Sequence, residues 1–391
     1  MNIFERLDAS QGWSEEERML LDSVQSLATE RLAPRAADYD RSAEFPWDNV
    51  NDINALGLNA MFIPEAYGGA PMSYRCYLAC VREISKACAS TGIIWATNFH
   101  AIKPVIQYGS EDLKSRILPR MAEGGIASLV ITEPSAGSDA TGMRTQFRME
   151  GDEIVIDGQK TFISNGDVAD VYVVFGKWAG EDDARAAIGA VVIEKGAPGL
   201  SVTGTESKMG TRASGTATLA FEGCRVPAGN MLAPAGEGLR VLLASLNKSR
   251  PSVAAHALGI ARAAFEDAVA YINDRRQFGK RILEFQGVQF MLADLAAELA
   301  LCEGWLWRVG AMVDDGVEDI GIEASILKLR ATDLAMRMAT DAVQLHGGYG
   351  YCTDFRAERL MRDAKITQIW EGTNQIHRQL IGRSFLNKEK R

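Results

Sequence analysis

One carboxylate near the end of the chain stands where a working acid or base would be placed. Glu371 precedes Gly372-Thr373-Asn374, a short break between two helix-forming segments. Glycine permits a turn, Thr373 carries a helix-capping hydroxyl, and Ile376 with Leu380 gives the following segment an apolar face. A carboxylate on a loop pinned at both ends is well held for general-base work. The same position also suits a surface charge that complements a helix N-terminus, so residue types alone leave both readings open. His100, His256, His346 and His377 have no acid partner nearby in sequence and read as structural. The six cysteines are scattered without C-x-x-C spacing. Cys76 and Cys80 would share a helix face, but no zinc-type spacing follows, so buried free thiols and no metal are expected.

Four further segments carry groups able to hold a ligand. They are Ile131-Thr132-Glu133-Pro134-Ser135-Ala136-Gly137-Ser138-Asp139, Gly158-Gln159-Lys160-Thr161-Phe162-Ile163-Ser164-Asn165-Gly166, Arg275-Arg276-Gln277-Phe278-Gly279-Lys280 and Gln344-Leu345-His346-Gly347-Gly348-Tyr349-Gly350. Each has a plain structural reading too. The first is also a strand end and loop, and Phe162 is also a core-filling aromatic. Arg275 suits a phosphate or the C-terminus of a helix. Gly347-Gly348 lets backbone N–H groups approach a ligand, or simply stops a helix. Arg250 fits a ligand contact or an ion pair within a helix, and Trp370 either narrows a site or fills a core.

Taken with the Glu371 segment, and in this order, these stretches resemble the acyl-CoA dehydrogenase family of flavoproteins from about residue 14 to about residue 387. The resemblance implies FAD. It assigns Ile131 and Thr132 to the flavin ring edge and Ser138 to both flavin phosphate and CoA ligand. Phe162 becomes an aromatic wall, and Ser164 a hydroxyl directed at flavin N5, where a donor assists arriving negative charge. Many members carry Trp and Thr at these two positions; both substitutions keep the chemistry. Arg275, Phe278, Gln286, Gln344, Gly347, Gly348, Thr373 and Gln375 are the remaining implied cofactor contacts. Arg275, Gln344 and the glycines would serve a neighbouring subunit, so the site would span two chains of a homotetramer. Asn247, Arg250 and Gly372 are implied substrate contacts, although Asn247 stands where an acidic residue is common.

The implied reaction is α,β-dehydrogenation of an acyl-CoA thioester to a trans-2-enoyl-CoA. Removal of the weakly acidic α-hydrogen needs a base and a polarised carbonyl. The resemblance gives the base as Glu371 and the carbonyl donors as its backbone N–H and a flavin ribityl hydroxyl. The β-hydrogen leaves as hydride to flavin N5, and electrons pass to an electron-transfer flavoprotein. Some members place the base immediately before the residue matching Arg250; Ser249 stands there and cannot serve. An oxidase of the same fold that uses oxygen, and a catalytically silent acyl-CoA-binding scaffold, are the alternatives.

These groups need a scaffold, and composition bounds it. The 391 residues suit two or three packed units. They are 47% apolar and 24% charged, and 51 acidic against 42 basic residues leave a charge of −9. Nucleic acid is therefore not an expected partner. No secretory leader and no membrane-spanning run is read, so a cytoplasmic protein without membrane insertion is expected.

Apolar periodicity predicts helices from Ser14 to about Ile126, with starts at Ser14 and Ser110. Short β-rich runs follow at 128–131, 153–157, 171–175, 188–193 and 217–221, divided by turn pairs such as Asp157-Gly158 and Pro198-Gly199. Long helical periods return over 241–274, 285–313 and 322–346. An α+β protein is expected: an N-terminal helical domain (1–126), a middle antiparallel β-barrel or sandwich (127–234) and a C-terminal four-helix bundle (235–391). No strand–G-x-G-x-x-G–helix unit supports a Rossmann fold.

Overall fold

The computed structural model describes residues 3–386. The first part is helical, with α1 (Ile3–Ala9), α2 (Glu15–Leu27), α3 (Ala33–Ser42), α4 (Trp47–Ala55), α5 (Tyr74–Ala87), α6 (Ala89–Tyr108) and α7 (Glu111–Ala122). Two of these begin at their predicted caps. Ser14 Oγ accepts from the Glu17 N–H at 3.1 Å, and the Glu17 carboxylate accepts from the Ser14 N–H at 3.1 Å. Ser110 caps α7 by accepting from Leu113 N–H at 3.2 Å. Each cap answers a donor that the first helical turn leaves without a partner.

Eight strands follow: β1 (Ala127–Val130), β2 (Gln146–Glu150), β3 (Glu153–Ser164), β4 (Val171–Trp178), β5 (Ile188–Glu194), β6 (Leu200–Thr205), β7 (Thr216–Pro227) and β8 (Met231–Ala233). They form one sheet in the order β6-β7-β3-β2-β4-β5-β8, with β1 beside β4. Most pairs are antiparallel, while β1 and the start of β2 run parallel to β4. Along β4, Val171, Val173 and Phe175 face a core shared with α6 and α7, and Tyr172 and Val174 face a second core. A strand buried on both faces reads as a continuous apolar run, which is why its sequence does not alternate.

The predicted turn at Asp157-Gly158 is a correction. Strand β3 passes straight through it, and a register shift against β7 absorbs Gly158 at φ 153. A Cβ on Gly158 would lie 2.6 Å from Thr145 Oγ1, so this glycine marks close strand approach rather than reversal.

The last part contains α8 (Gly238–Asp274), a small hairpin of β9 (Arg276–Gln277) and β10 (Lys280–Arg281), then α9 (Gln286–Asp314), α10 (Gly321–His346), α11 (Ala357–Thr367) and α12 (Asn374–Ser384). Helices α8, α9, α10 and α11 pack on one another as the predicted bundle. The two helical regions share a single core. Leu78 of α5 and Trp95 of α6 cluster with Leu258 and Ala261 of α8 and with Leu327 and Leu334 of α10. Gly259 permits this contact, because a Cβ there would lie 2.4 Å from the Arg82 carbonyl oxygen of α5. Beside it, the buried carboxylate of Glu303 on α9 is paired with Arg262 at 2.8 Å and Arg82 at 3.5 Å. Removing one partner of such a buried group costs about 3–5 kcal/mol.

Candidate active site

Glu371 lies between α11 and α12 in a left-handed conformation, φ 53, followed by Gly372 at φ 93. The turn is fastened on both sides. Thr373 is the N-cap of α12, its side chain accepting from Ile376 N–H at 3.4 Å, and the Asn374 N–H donates to the Gln368 carbonyl at 3.0 Å. Helix α8 approaches from another direction. Ser249 Oγ, fully buried, donates to Glu371 Oε2 at 2.6 Å. One turn further along α8, Ser252 Oγ donates to the Ser249 carbonyl at 2.7 Å and lies 2.5 Å from His100 Nε2 of α6. Burial holds His100 below the ordinary histidine range and, with the nearby Lys328 and Arg250 cations, pushes His377 down to about 3. Both rings are therefore neutral neighbours of the carboxylate at pH 7.

Arg250 is also buried, and the structure separates its two readings. Among the described residues its guanidinium bonds only the Asn247 side-chain oxygen, at 3.1 Å, and its Nε has no partner. No ion pair involves it among the described residues, so the helix ion-pair reading fails. An unpaired buried guanidinium is costly unless something else accepts from it.

The first two β motifs meet at one end of β3. The Thr161 N–H donates to the Thr132 carbonyl at 3.0 Å, which places the Ile131–Thr132 strand end beside Phe162 and Ser164. A register shift against β7 between Lys160 and Ile163 sets Phe162 at φ 57 and turns its ring outward, 63% exposed. A bulge is a device for re-aiming a side chain, and here it excludes the core-filling reading of Phe162. Behind this surface, the buried Lys160 ammonium donates to the Ile131 carbonyl at 2.8 Å and pairs with Glu133 at 2.9 Å. Glu133 accepts in turn from the Arg144 and Thr145 N–H groups at 2.6 and 2.9 Å. Burial pushes Lys160 down to about 8 against the pull of Glu133. Ser138 lies exposed on the loop beyond.

The remaining cofactor candidates fall on the C-terminal helices. Arg275, Gln344, Gly347 and Gly348 line a surface cleft of about 970 Å³ between the ends of α8, α9 and α10. Arg275 sits with its guanidinium 5.7 Å from the Tyr349 ring centre, and among the described residues it has no carboxylate partner. Phe278, at the tip of the β9–β10 hairpin, has φ 54 and is 92% exposed. Gln286 and Gln375 are exposed at the starts of α9 and α12. Among the described residues no hydrogen bond, ion pair or ring contact joins this group to the Thr132–Phe162 surface.

Family models for the acyl-CoA dehydrogenase N-terminal, middle and C-terminal domains match residues 14–125, 128–224 and 236–386. A probable acyl-CoA dehydrogenase of Mycobacterium tuberculosis is 41% identical over 95% of this chain and 96% of its own. A cyclohex-1-ene-1-carbonyl-CoA dehydrogenase of Geobacter metallireducens is 42% identical over 95% and 98%. The structure of butyryl-CoA dehydrogenase from Megasphaera elsdenii superposes with a TM-score of 0.92 at 34% identity, covering 95% of this chain and 98% of that one. The chain belongs to the acyl-CoA dehydrogenase family. It is an FAD-dependent oxidoreductase acting on acyl-CoA thioesters.

The residues present fit the flavin that this family uses. The outward-turned Phe162 ring beside the Ser164 hydroxyl suits a flavin ring, and the Arg275 guanidinium over a cleft with adjacent glycines suits a pyrophosphate. Several residues around the site escaped sequence reasoning. In sequence Ser249 is only a residue that cannot be the base, yet in the structure it holds the carboxylate. Lys160 lies inside the Gly158–Gly166 stretch, where the sequence assigns it no role. Lys328 of α10 was not singled out; its Nζ donates to the Gly372 carbonyl at 2.7 Å and to Asn374 Oδ1 at 3.0 Å. Its signal was available as a lysine among Leu327, Ala331 and Leu334 on a buried helix stripe. The cysteine reading needs one correction, since Cys302 is half-buried and Cys352 exposed. Among the described residues no cluster suits a metal, and no helix is long and apolar enough to cross a membrane.

Proposed function

We propose that this chain removes the α-proton of an acyl-CoA thioester with Glu371, giving a trans-2-enoyl-CoA. The observation that carries the reading is the Glu371 turn, with a carboxylate gripped by Ser249 and a backbone held in the left-handed region. Such a base is oriented before substrate arrives, so little reorganisation is left for the reaction itself. The Glu371 N–H donates to the thioester carbonyl oxygen, where charge develops as the α-proton leaves. Arg250, lacking an ion pair, takes an acceptor atom of the CoA-bearing substrate, and Asn247 orients the guanidinium. Ile131, Thr132, Ser138, Phe162 and Ser164 bind the flavin end of the site, with Thr373 and Gln375 near the base. Bound FAD supplies the acceptor for the β-hydride. Arg275, Phe278, Gln286, Gln344, Gly347 and Gly348 serve the flavin of a neighbouring subunit in a homotetramer, and an electron-transfer flavoprotein takes the electrons.

A panel of acyl-CoAs of varied length and branching, followed anaerobically by flavin bleaching, tests the activity and finds the substrate. Bleaching by at least one saturated acyl-CoA with formation of its 2-enoyl product is the expected result. Admission of air separates the oxidase alternative, because rapid reoxidation of substrate-reduced protein would replace the electron-transfer flavoprotein as acceptor.

A further inference from the structure

We infer that Lys328 is a positioning residue that fixes the Glu371–Gly372 turn in its working conformation, an inference that rests on Glu371 being the base. Two consecutive left-handed residues make this turn, and a glutamate there sets its own Cβ against the backbone. The local sequence offers Gly372 and the Thr373 cap but nothing that forces Glu371 itself to φ 53. The constraint comes from α10. Lys328, fully buried, reaches across 44 residues of sequence to the Gly372 carbonyl and also holds Asn374 Oδ1. Asn374 is locked from its other end, donating to Thr332 Oγ1 at 2.9 Å and Asp333 Oδ1 at 2.8 Å. Asp333 also accepts from Gln368 at 2.7 Å, just before the turn, and from Arg378 at 2.7 Å, just after it. One polar face of α10 therefore grips the turn, with Lys328 at the carbonyl next to the base.

Lys328 has a second consequence for Glu371. Burial pushes it down to about 7, against the field of the Glu371 carboxylate. Its two bonds survive loss of the proton, because a neutral amine keeps two N–H donors for its two acceptors. The turn stays fastened through neutral pH while the charge facing the base changes. The other groups facing Glu371 are Tyr77 from α5, His100 from α6, Arg250 from α8 and His377 from α12. Tyr77 is held far above its ordinary range by burial and both histidines below theirs, which leaves Lys328 and Arg250 as the cations.

The holoenzyme variants Lys328→Met, Lys328→Arg and Asn374→Ala test this beside Glu371→Gln. For Lys328→Met the expected results are amide exchange at residues 369–374 at least tenfold faster, and flavin reduction at saturating acyl-CoA at least tenfold slower. Binding of a non-reducible acyl-CoA analogue should stay within threefold. Lys328→Arg keeps N–H donors for the same acceptors and should lose less of the reduction rate than Lys328→Met. Should Lys328→Met fail to fold, Asn374→Ala removes one anchor and should shift exchange and reduction in the same directions. Wild-type exchange and reduction in either folded variant would overturn the inference. Reduction by Glu371→Gln within tenfold of wild type would instead remove the base assignment beneath it, so the two failures are distinguishable.

Discussion

At the scale of single residues, the site is a carboxylate whose surroundings are more decisive than its type. Glu371→Gln keeps shape and the backbone N–H but cannot accept a proton. Its flavin reduction by a good acyl-CoA is expected to fall at least 10²–10⁴-fold, roughly 3–5 kcal/mol of barrier, with the flavin spectrum and ligand binding intact. Rapid mixing measures this directly, and a loss below tenfold means the base lies elsewhere. Ser249→Ala separates holding from proton transfer. It removes one charge-assisted hydrogen bond, worth roughly 1.5–3 kcal/mol. Its rate should fall by no more than about 10²-fold and stay well above that of Glu371→Gln; equal losses would show that Ser249 does more than orient.

At the scale of elements, two buried charges tie the site to the sheet. Lys160 links β3 to the strand end after β1, carrying the Ile131 carbonyl and the Glu133 carboxylate. Lys160→Met strips both of their partner, and a buried group left unpaired costs about 1–3 kcal/mol. FAD affinity should drop by roughly tenfold or more, since Ile131 and Thr132 lose their backing. Fluorescence titration of the apoprotein checks this, and an unchanged dissociation constant would exclude a role for the pair in flavin binding.

Asp363 of α11 fastens the β6–β7 connection by accepting from Thr211 N–H at 2.5 Å, and burial pushes its carboxyl up from 3.8 to about 6. Between pH 4 and 6 the folded chain keeps a proton that the unfolded chain has released, so this group's contribution falls as pH rises through the window. Asp363→Asn keeps the acceptor and discards the charge. It should be more stable than wild type at pH 7, by up to about 3 kcal/mol, with a flatter pH dependence between 4 and 6. Lower stability with an unchanged slope in a denaturation series would refute this.

At the scale of the molecule, the flavin candidates lie in two groups without a contact between them in one chain. In the proposed arrangement the flavin is held by one group from each of two copies, so assembly would be a condition of flavin binding. Purified protein is expected to be a yellow homotetramer with about one FAD per chain, and Arg275→Ala should weaken flavin retention while leaving each fold intact. Sedimentation with acid release and mass measurement of the flavin decides it. Monomers with full FAD affinity, or FMN in place of FAD, would contradict the arrangement.

The sequence by itself determined the helix–strand–helix order, the caps at Ser14, Ser110 and Thr373, the extents of α8, α9 and α10, and the turn that carries Glu371. These are written in short-range terms: apolar period, capping hydroxyls, and glycine where the backbone turns left-handed. The exposed β6 and the short β2 and β8 gave no such signal, because apolar burial, which writes the period, is weak or brief in them. Only the tertiary structure decided that Phe162 faces outward, that Arg250 lacks an ion pair and that both helical regions share one core. It alone brought Ser249 to Glu371 across 122 residues of sequence and Lys328 to Gly372 across 44. The physical reason is the same in each case. A bulge register, a fully buried lysine and a hydroxyl aimed at a carboxylate are fixed by what packs against them, and no local propensity encodes the neighbour that arrives from another helix.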